Sequence, residues 1–153
     1  GIDLLSGGAG SDRLYGGGGN NLMVGDEGND LLYGQAGIDV LYGGAGEDIL
    51  NGGPDVDGLY GGAGNDRFQV GGTGYGYDYV WDFEVNPTAG AASDQLVIQT
   101  GHFANAAAVR AAAAFVSGNT TINVPNTGGA TVVLVGVNIA NILDEDIVVS
   151  GLF

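Results

Sequence analysis

The chain has 153 residues, with 18 acidic side chains against 3 basic ones and a formal net charge of −15 at pH 7. That balance speaks against nucleic acid and anionic membranes as partners and in favour of cations. At 44% hydrophobic residues the chain is too apolar for a disordered acidic tail, and without cysteine it can form neither disulfides nor thiolate metal sites.

From Gly1 to Gln69 the sequence repeats every nine residues without a gap. A partial unit, GIDLLS, is followed by GGAGSDRLY, GGGGNNLMV, GDEGNDLLY, GQAGIDVLY, GGAGEDILN, GGPDVDGLY and GGAGNDRFQ. Position six is Asp3, Asp12, Asn21, Asp30, Asp39, Asp48, Asp57 and Asp66, and position eight is Leu5, Leu14, Met23, Leu32, Leu41, Leu50, Leu59 and Phe68. A glycine-rich low-complexity sequence would not hold an aspartate and an apolar residue in phase over seven units. Positions seven to nine read as a three-residue strand with its middle side chain inward. Positions one to six read as a turn in which glycines accept positive φ and let carbonyls crowd together. Two units make one coil, and units two apart stack at about 4.8 Å. The expectation is an all-β fold, a parallel β-roll (a two-sheet solenoid of nonapeptide repeats), over residues 1–69.

Stacking puts Asp12, Asp30, Asp48 and Asp66 on one edge and Asp3, Asn21, Asp39 and Asp57 on the other. Unscreened carboxylates about 5 Å apart repel by about 3 kcal/mol per pair at an effective dielectric near 20, and no lysine or arginine lies within the turns to offset this. A hard dication between turns would. Carboxylate and carbonyl oxygens suit Ca²⁺, whereas Mg²⁺ demands a tight octahedron and Zn²⁺ lacks its usual ligands. The alternative is a metal-free glycine solenoid with solvated aspartates.

Positions seven and nine should face outward, which lines up Tyr15 with Tyr33 and Tyr42 with Tyr60. Such stripes stack on sugars or pack against a partner, so a polysaccharide- or cell-surface-binding module is an alternative function. After Gln69 the period stops. GTGYGYDYVWDF (72–83) is followed by a loop with Pro87, a strand-like QLVIQ, an alanine-rich segment from Phe103 to Phe115 with helical propensity, and the apolar runs TTINV, TVVLVGV and IVVSGLF. This half, residues 70–153, is expected to be mainly β with one short helix and to cap the open end of the roll, with Trp81 in its core. His102 is the only histidine. Without HExxH, GxSxG or a cysteine nucleophile, no catalytic residue is expected, and any catalytic domain would lie upstream of Gly1. No run reaches the roughly 18 apolar residues of a membrane helix, so no membrane insertion is expected. With no signal peptide, the chain reads as the C-terminal piece of a longer protein.

The nonapeptides resemble the calcium-binding repeats of RTX proteins. The order DxVxDF, a D-Q-L strand, a helix, apolar strands and a terminal DIVV resembles the C-terminal region of serralysin-like proteins. The resemblance implies several Ca²⁺ ions, each held by carbonyls of positions one to four and by the position-six side chain. One turn would supply Gly7, Gly8, Ala9, Gly10 and Asp12, and another Gly43, Gly44, Ala45, Gly46 and Asp48. Gly25 and Gly28, Gly34 and Gly37, Gly52 and Gly53, and Gly61, Gly62, Ala63 and Gly64 would serve likewise. Asp78, first in DxVxDF, would be a further ligand; its other reading is a turn cap. The resemblance also implies a secreted bacterial protein exported by type I secretion machinery. The departures are Asn21, which halves the charge of its site, Asp26 and Gln35 at position two, Pro54 and Asp55 in one turn, and the extra ending Ser150 to Phe153. The edge with Asp12, Asp30, Asp48 and Asp66 is the intact one, expected to hold at least three ions.

Overall fold

In the computed structural model the described residues are 1–70, 76–85, 93–98, 108–109, 111, 113–123 and 131–149. The repeats wind into two parallel sheets that face each other across an apolar core, a β-solenoid of about four turns. Odd strands β1 (Leu4–Ala9), β3 (Leu22–Glu27), β5 (Val40–Ala45) and β7 (Gly58–Ala63) form one sheet. Even strands β2 (Arg13–Gly18), β4 (Leu31–Ala36), β6 (Ile49–Asn51) and β8 (Arg67–Val70) form the other. Paired residues in these strands lie 18 positions apart, as Leu5 with Met23 and Leu14 with Leu32.

The strands are longer than the three residues expected. The chain bends at position one, but hydrogen bonding between coils resumes at positions two and three, pairing Gly8 with Asp26 and Ala9 with Glu27. Identical turns stacked in register can bond to one another as strands do, so the ladder continues around the corner. β6 is the exception. Past Asn51 the chain runs into Pro54 of the next unit, which has no N–H to offer the ladder.

Position eight supplies the core. Met23, Leu32, Leu41, Leu50, Leu59 and Phe68 are completely buried, and Leu5 and Leu14, on the first coil, are partly so. The stack continues past residue 70. Strand β9 (Tyr77–Val80) pairs in parallel with β7, and β10 (Gln95–Ile98) with β8. Strands β13 (Thr131–Leu134) and β14 (Ile147–Val149) then add to β9 and β10. Val80, Leu96, Leu134 and Ile147 extend the two apolar ladders. Antiparallel β12 (Asn119–Asn123) and β11 (Ala113–Val116) finish the odd-strand sheet.

Two expectations need correction. Residues 108, 109 and 111 are helical, but Ala113, Ala114 and Phe115 belong to β11, where pairing with β12 overrides alanine's helical propensity. The rest of that segment, His102 and the ending from Ser150 lie outside the described residues. Trp81 is not core: it is 46% exposed. Its ring stacks on Tyr60 at 6.0 Å, and its indole Nε1 lies over Gly58, filling the notch left in the outer face of the sheet. Alternation decides this, since Val80 takes the inward position and Trp81 must point out.

Candidate metal centre

Each edge of the solenoid is a column of turns, and from Asp30 to Asp66 every turn carries one buried aspartate. Asp30, Asp39, Asp48, Asp57 and Asp66 are 2% exposed or less. Their two carboxylate oxygens have separate jobs. Oδ1 accepts the backbone N–H of the residue 18 positions earlier: Asp30 from Asp12 at 2.8 Å, Asp48 from Asp30 at 2.7 Å, Asp57 from Asp39 at 2.8 Å and Asp66 from Asp48 at 2.8 Å. Oδ2 of Asp12, Asp30, Asp39, Asp48, Asp57 and Asp66 is buried with no hydrogen-bond partner. A buried anionic oxygen left unpaired is costly, so a repeated row of them calls for a cation.

The oxygens facing these carboxylates are main-chain carbonyls. A methyl group placed on Gly7 would lie 2.9 Å from Asp12 Oδ2 and 2.8 Å from Gly25 O; on Gly34 it would lie 2.5 Å from both Asp39 Oδ2 and Gly52 O. Position one is glycine because the site occupies the volume of its side chain. From the preceding turn, the carbonyls of positions two and four crowd the same gap: Asp26 O and Gly28 O reach toward Gly44 and Gly46. The position-two and position-four residues adopt positive φ to aim them, as Gly44 does at 120° and Gly46 at 137°. Asp26, Gln35 and Asp55 hold φ of 77°, 73° and 84° despite their side chains. The turn geometry therefore survives these departures from glycine, at a backbone cost of about 1–2 kcal/mol each. One carboxylate and several carbonyls per gap form a hard oxygen donor set that fits Ca²⁺. Among the described residues, no three His, Asp or Glu side chains converge as a site made of side chains alone.

Burial pushes the carboxyls up, and the neighbouring carboxylates add to it. Asp39 and Asp48 are raised, Asp57 and Asp66 to about 7, each chiefly by burial and against the pull of the N–H bound at Oδ1. Coulombic contact with the carboxylate one coil away raises Asp48 (from Asp30), Asp57 (from Asp39) and Asp66 (from Asp48) further. For Asp39 the Asn21 side chain below it lowers the value, while the Asp55 charge raises it.

Asp78 takes its place in the column above Asp57, since Tyr79 pairs with Gly58. It is 6% exposed, its Oδ1 is unpartnered, and burial followed by the Asp57 charge pushes it up to about 8. It shares the character of the repeat aspartates. Two further residues escaped the sequence reading. Asp94 heads β10 as the repeat aspartates head their strands: its Oδ1 accepts the Asp66 N–H at 2.9 Å, and its Oδ2 accepts the Glu84 N–H at 2.8 Å. Burial pushes it up to about 6. Asp82 closes the turn below, accepting Gly61 N–H at 2.9 Å and Gly62 N–H at 3.0 Å. The triplet aspartate–any–apolar, Asp94-Gln95-Leu96, is the same signal as Asp12-Arg13-Leu14 and could have found the first.

The outer aromatic residues pack along the solenoid axis. Tyr15 stacks on Tyr33 at 5.5 Å, and Tyr42 on Tyr60 at 4.5 Å. The ring faces are largely turned toward one another between coils.

Residues 1–32 and 33–68 match the family model described as the RTX calcium-binding nonapeptide repeat (4 copies). No curated protein matches the chain. Among solved structures, the extracellular lipase LipA of Serratia marcescens is similar in fold, with a TM-score of 0.52 and 18% identity over 98% of this chain. The chain spans 40% of that lipase's length. The AlgE6R3 subunit of the Azotobacter vinelandii mannuronan C5-epimerase is 24% identical over 93% of this chain and 80% of its own, with a TM-score of 0.35. The repeat family is a structural calcium-binding module rather than a catalytic one. Residues 1–68 thus carry the likeness to the RTX calcium-binding nonapeptide repeat, and they are wound into a parallel β-solenoid.

Proposed function

We propose that the chain is a calcium-triggered folding module and the C-terminal export target of a larger secreted bacterial protein. Residues 1–69 would hold the calcium, and residues 70–153 would cap the roll and carry the determinant read by type I secretion machinery. The observation that carries the reading is the row of buried, unpartnered aspartate Oδ2 atoms, with those of Asp12, Asp30, Asp39 and Asp48 set beside a carbonyl of the adjoining turn. Four aspartate turns on the intact edge, at Asp12, Asp30, Asp48 and Asp66, leave three gaps between them, and Asp39, Asp57 and Asp78 supply the other edge.

The residues act as a switch because their oxygens converge only in the folded coil. Where calcium is scarce, stacked carboxylates repel, the chain stays loose, and a loose chain can thread a channel. Where calcium is abundant, binding supplies folding free energy, about 2.7 kcal/mol per site at a hundredfold excess over its dissociation constant. The likeness of residues 1–68 to a calcium-binding repeat and of the fold to an extracellular lipase supports this reading.

The test is export from cells carrying a type I secretion system. Removing about the last fifty residues should leave the protein inside, whereas Asp30→Asn combined with Asp48→Asn should permit export of a product that stays protease-sensitive in calcium. Undiminished secretion of the truncated chain would overturn the export half of the proposal. Protease resistance of the double variant equal to the parent would overturn the calcium half.

A further inference from the structure

The turn that ends in Asn21 is built differently from the aspartate turns. Asn21 Oδ1 accepts the Asp3 N–H at 3.1 Å, the job Oδ1 has in every column, and its Nδ2 donates to Gly19 O at 3.0 Å. Gly19 O is a position-four carbonyl, one of the set that elsewhere crowds the gap; here it reaches toward Gly37. A methyl group on Gly16 would lie 2.7 Å from Asn21 Nδ2 and 2.6 Å from Gly34 O. In the next turn of the same column the corresponding neighbours of Gly34 are Asp39 Oδ2 and Gly52 O. An amide nitrogen therefore stands where the aspartate turns place a free carboxylate oxygen.

Reversing the amide does not restore an oxygen ligand. The Asp3 N–H needs an acceptor, and a flipped side chain would present NH₂ to it, donor against donor. Asn21 is 3% exposed, so a lost partner there carries a desolvation penalty. The hydrogen-bond network thus fixes Nδ2, with its positive end outward, in the cation's position, and it occupies a carbonyl that would otherwise serve as ligand.

We propose that the Asn21 turn takes no divalent cation, and that its side-chain amide closes the turn in the cation's place. The proposal rests on the calcium-binding reading of the aspartate turns. It makes the two edges unequal, and it gives the first coils one closure that does not depend on calcium.

The experiment counts ions on the full chain at saturating Ca²⁺ by native mass spectrometry. Asn21→Asp should bind one ion more than the parent, Asn21→Ala the same number, and Asp30→Asn one fewer. An unchanged count for Asn21→Asp, or a loss of one ion in Asn21→Ala, would overturn the proposal while leaving the calcium reading intact. A parent chain that binds no calcium would overturn both. The Asn21 side-chain NH₂ resonances give a check on the parent itself. At saturating calcium they should exchange slowly with solvent and show a hydrogen-bonded shift; fast exchange at the shift of a free amide is the contrary result.

Discussion

Asp48 lies in the middle of the intact edge, and two substitutions there separate the work of its two oxygens. It is fully buried, with Oδ1 bound to the Asp30 N–H at 2.7 Å and Oδ2 free. Asp48→Asn keeps the Oδ1 bond and turns an NH₂ toward Gly46 O, as Asn21 turns one toward Gly19 O. In saturating calcium it should lose the contribution of one site, about 2.7 kcal/mol at a hundredfold excess. In chelator it should gain, because the repulsions with Asp30 and Asp66 vanish. At about 3 kcal/mol each they set an upper bound of roughly 6 kcal/mol. Asp48→Ala loses the ion as well but also strands the buried Asp30 N–H, a further cost of about 1–3 kcal/mol. Urea unfolding followed by far-UV circular dichroism, with and without calcium, reads all of these. The reasoning is refuted if the two variants are equally destabilised in calcium, or if Asp48→Asn retains less structure than the parent in chelator.

Other consequences concern pH, the cradle and the cap. Asp57, Asp66 and Asp78 are raised from 3.8 to about 7, 7 and 8. A carboxyl whose folded value is raised stabilises the fold fully below the unfolded value near 4 and loses that stabilisation as pH climbs through the folded one. The metal-free chain should therefore show more β signal at pH 5 than at pH 8.5. Calcium must displace those protons, so the calcium midpoint should rise as pH falls from 8.5 to 5, measured by the same titration at each pH. Gly43→Ala changes no charge but sets a methyl group against Asp48 Oδ2 and Gly61 O; it should remove one ion in a calcium count. Asp82→Ala leaves the N–H groups of Gly61 and Gly62 without their carboxylate and should lower the urea midpoint in calcium by the equivalent of about 1–3 kcal/mol, with Asp82→Asn closer to the parent. Leu41→Ala, at a fully buried rung, should cost about 2–5 kcal/mol by urea unfolding in calcium.

The repeat half was legible because one period carries all of its information. Nine residues fix the inward Leu or Phe, the edge aspartate and the corner glycine, and an 18-residue register follows from two units per coil. What the period could not convey was the divided work of each carboxylate, since Oδ1 bonds to a residue 18 positions away. Past residue 70 the spacing changes: Asp57 to Asp78 is 21 residues and Asp66 to Asp94 is 28. The columns continue, but insertions in the turns hide the phase, so Asp94 and Asp82 were missed and Asp78 was reached by resemblance. Trp81 was misplaced because composition ranks tryptophan as core, whereas the alternation anchored by inward Val80 sends it out. Ala113 to Phe115 were misplaced because local propensity omits the partner strand.

The central claim is that calcium drives the folding of this chain. The most direct test is titration of the metal-free chain with Ca²⁺ at pH 7.5, followed by far-UV circular dichroism, with Mg²⁺ in parallel. The account predicts a cooperative gain of β signal with calcium and little change with magnesium. A full β spectrum in chelator, unaltered by calcium, would contradict it.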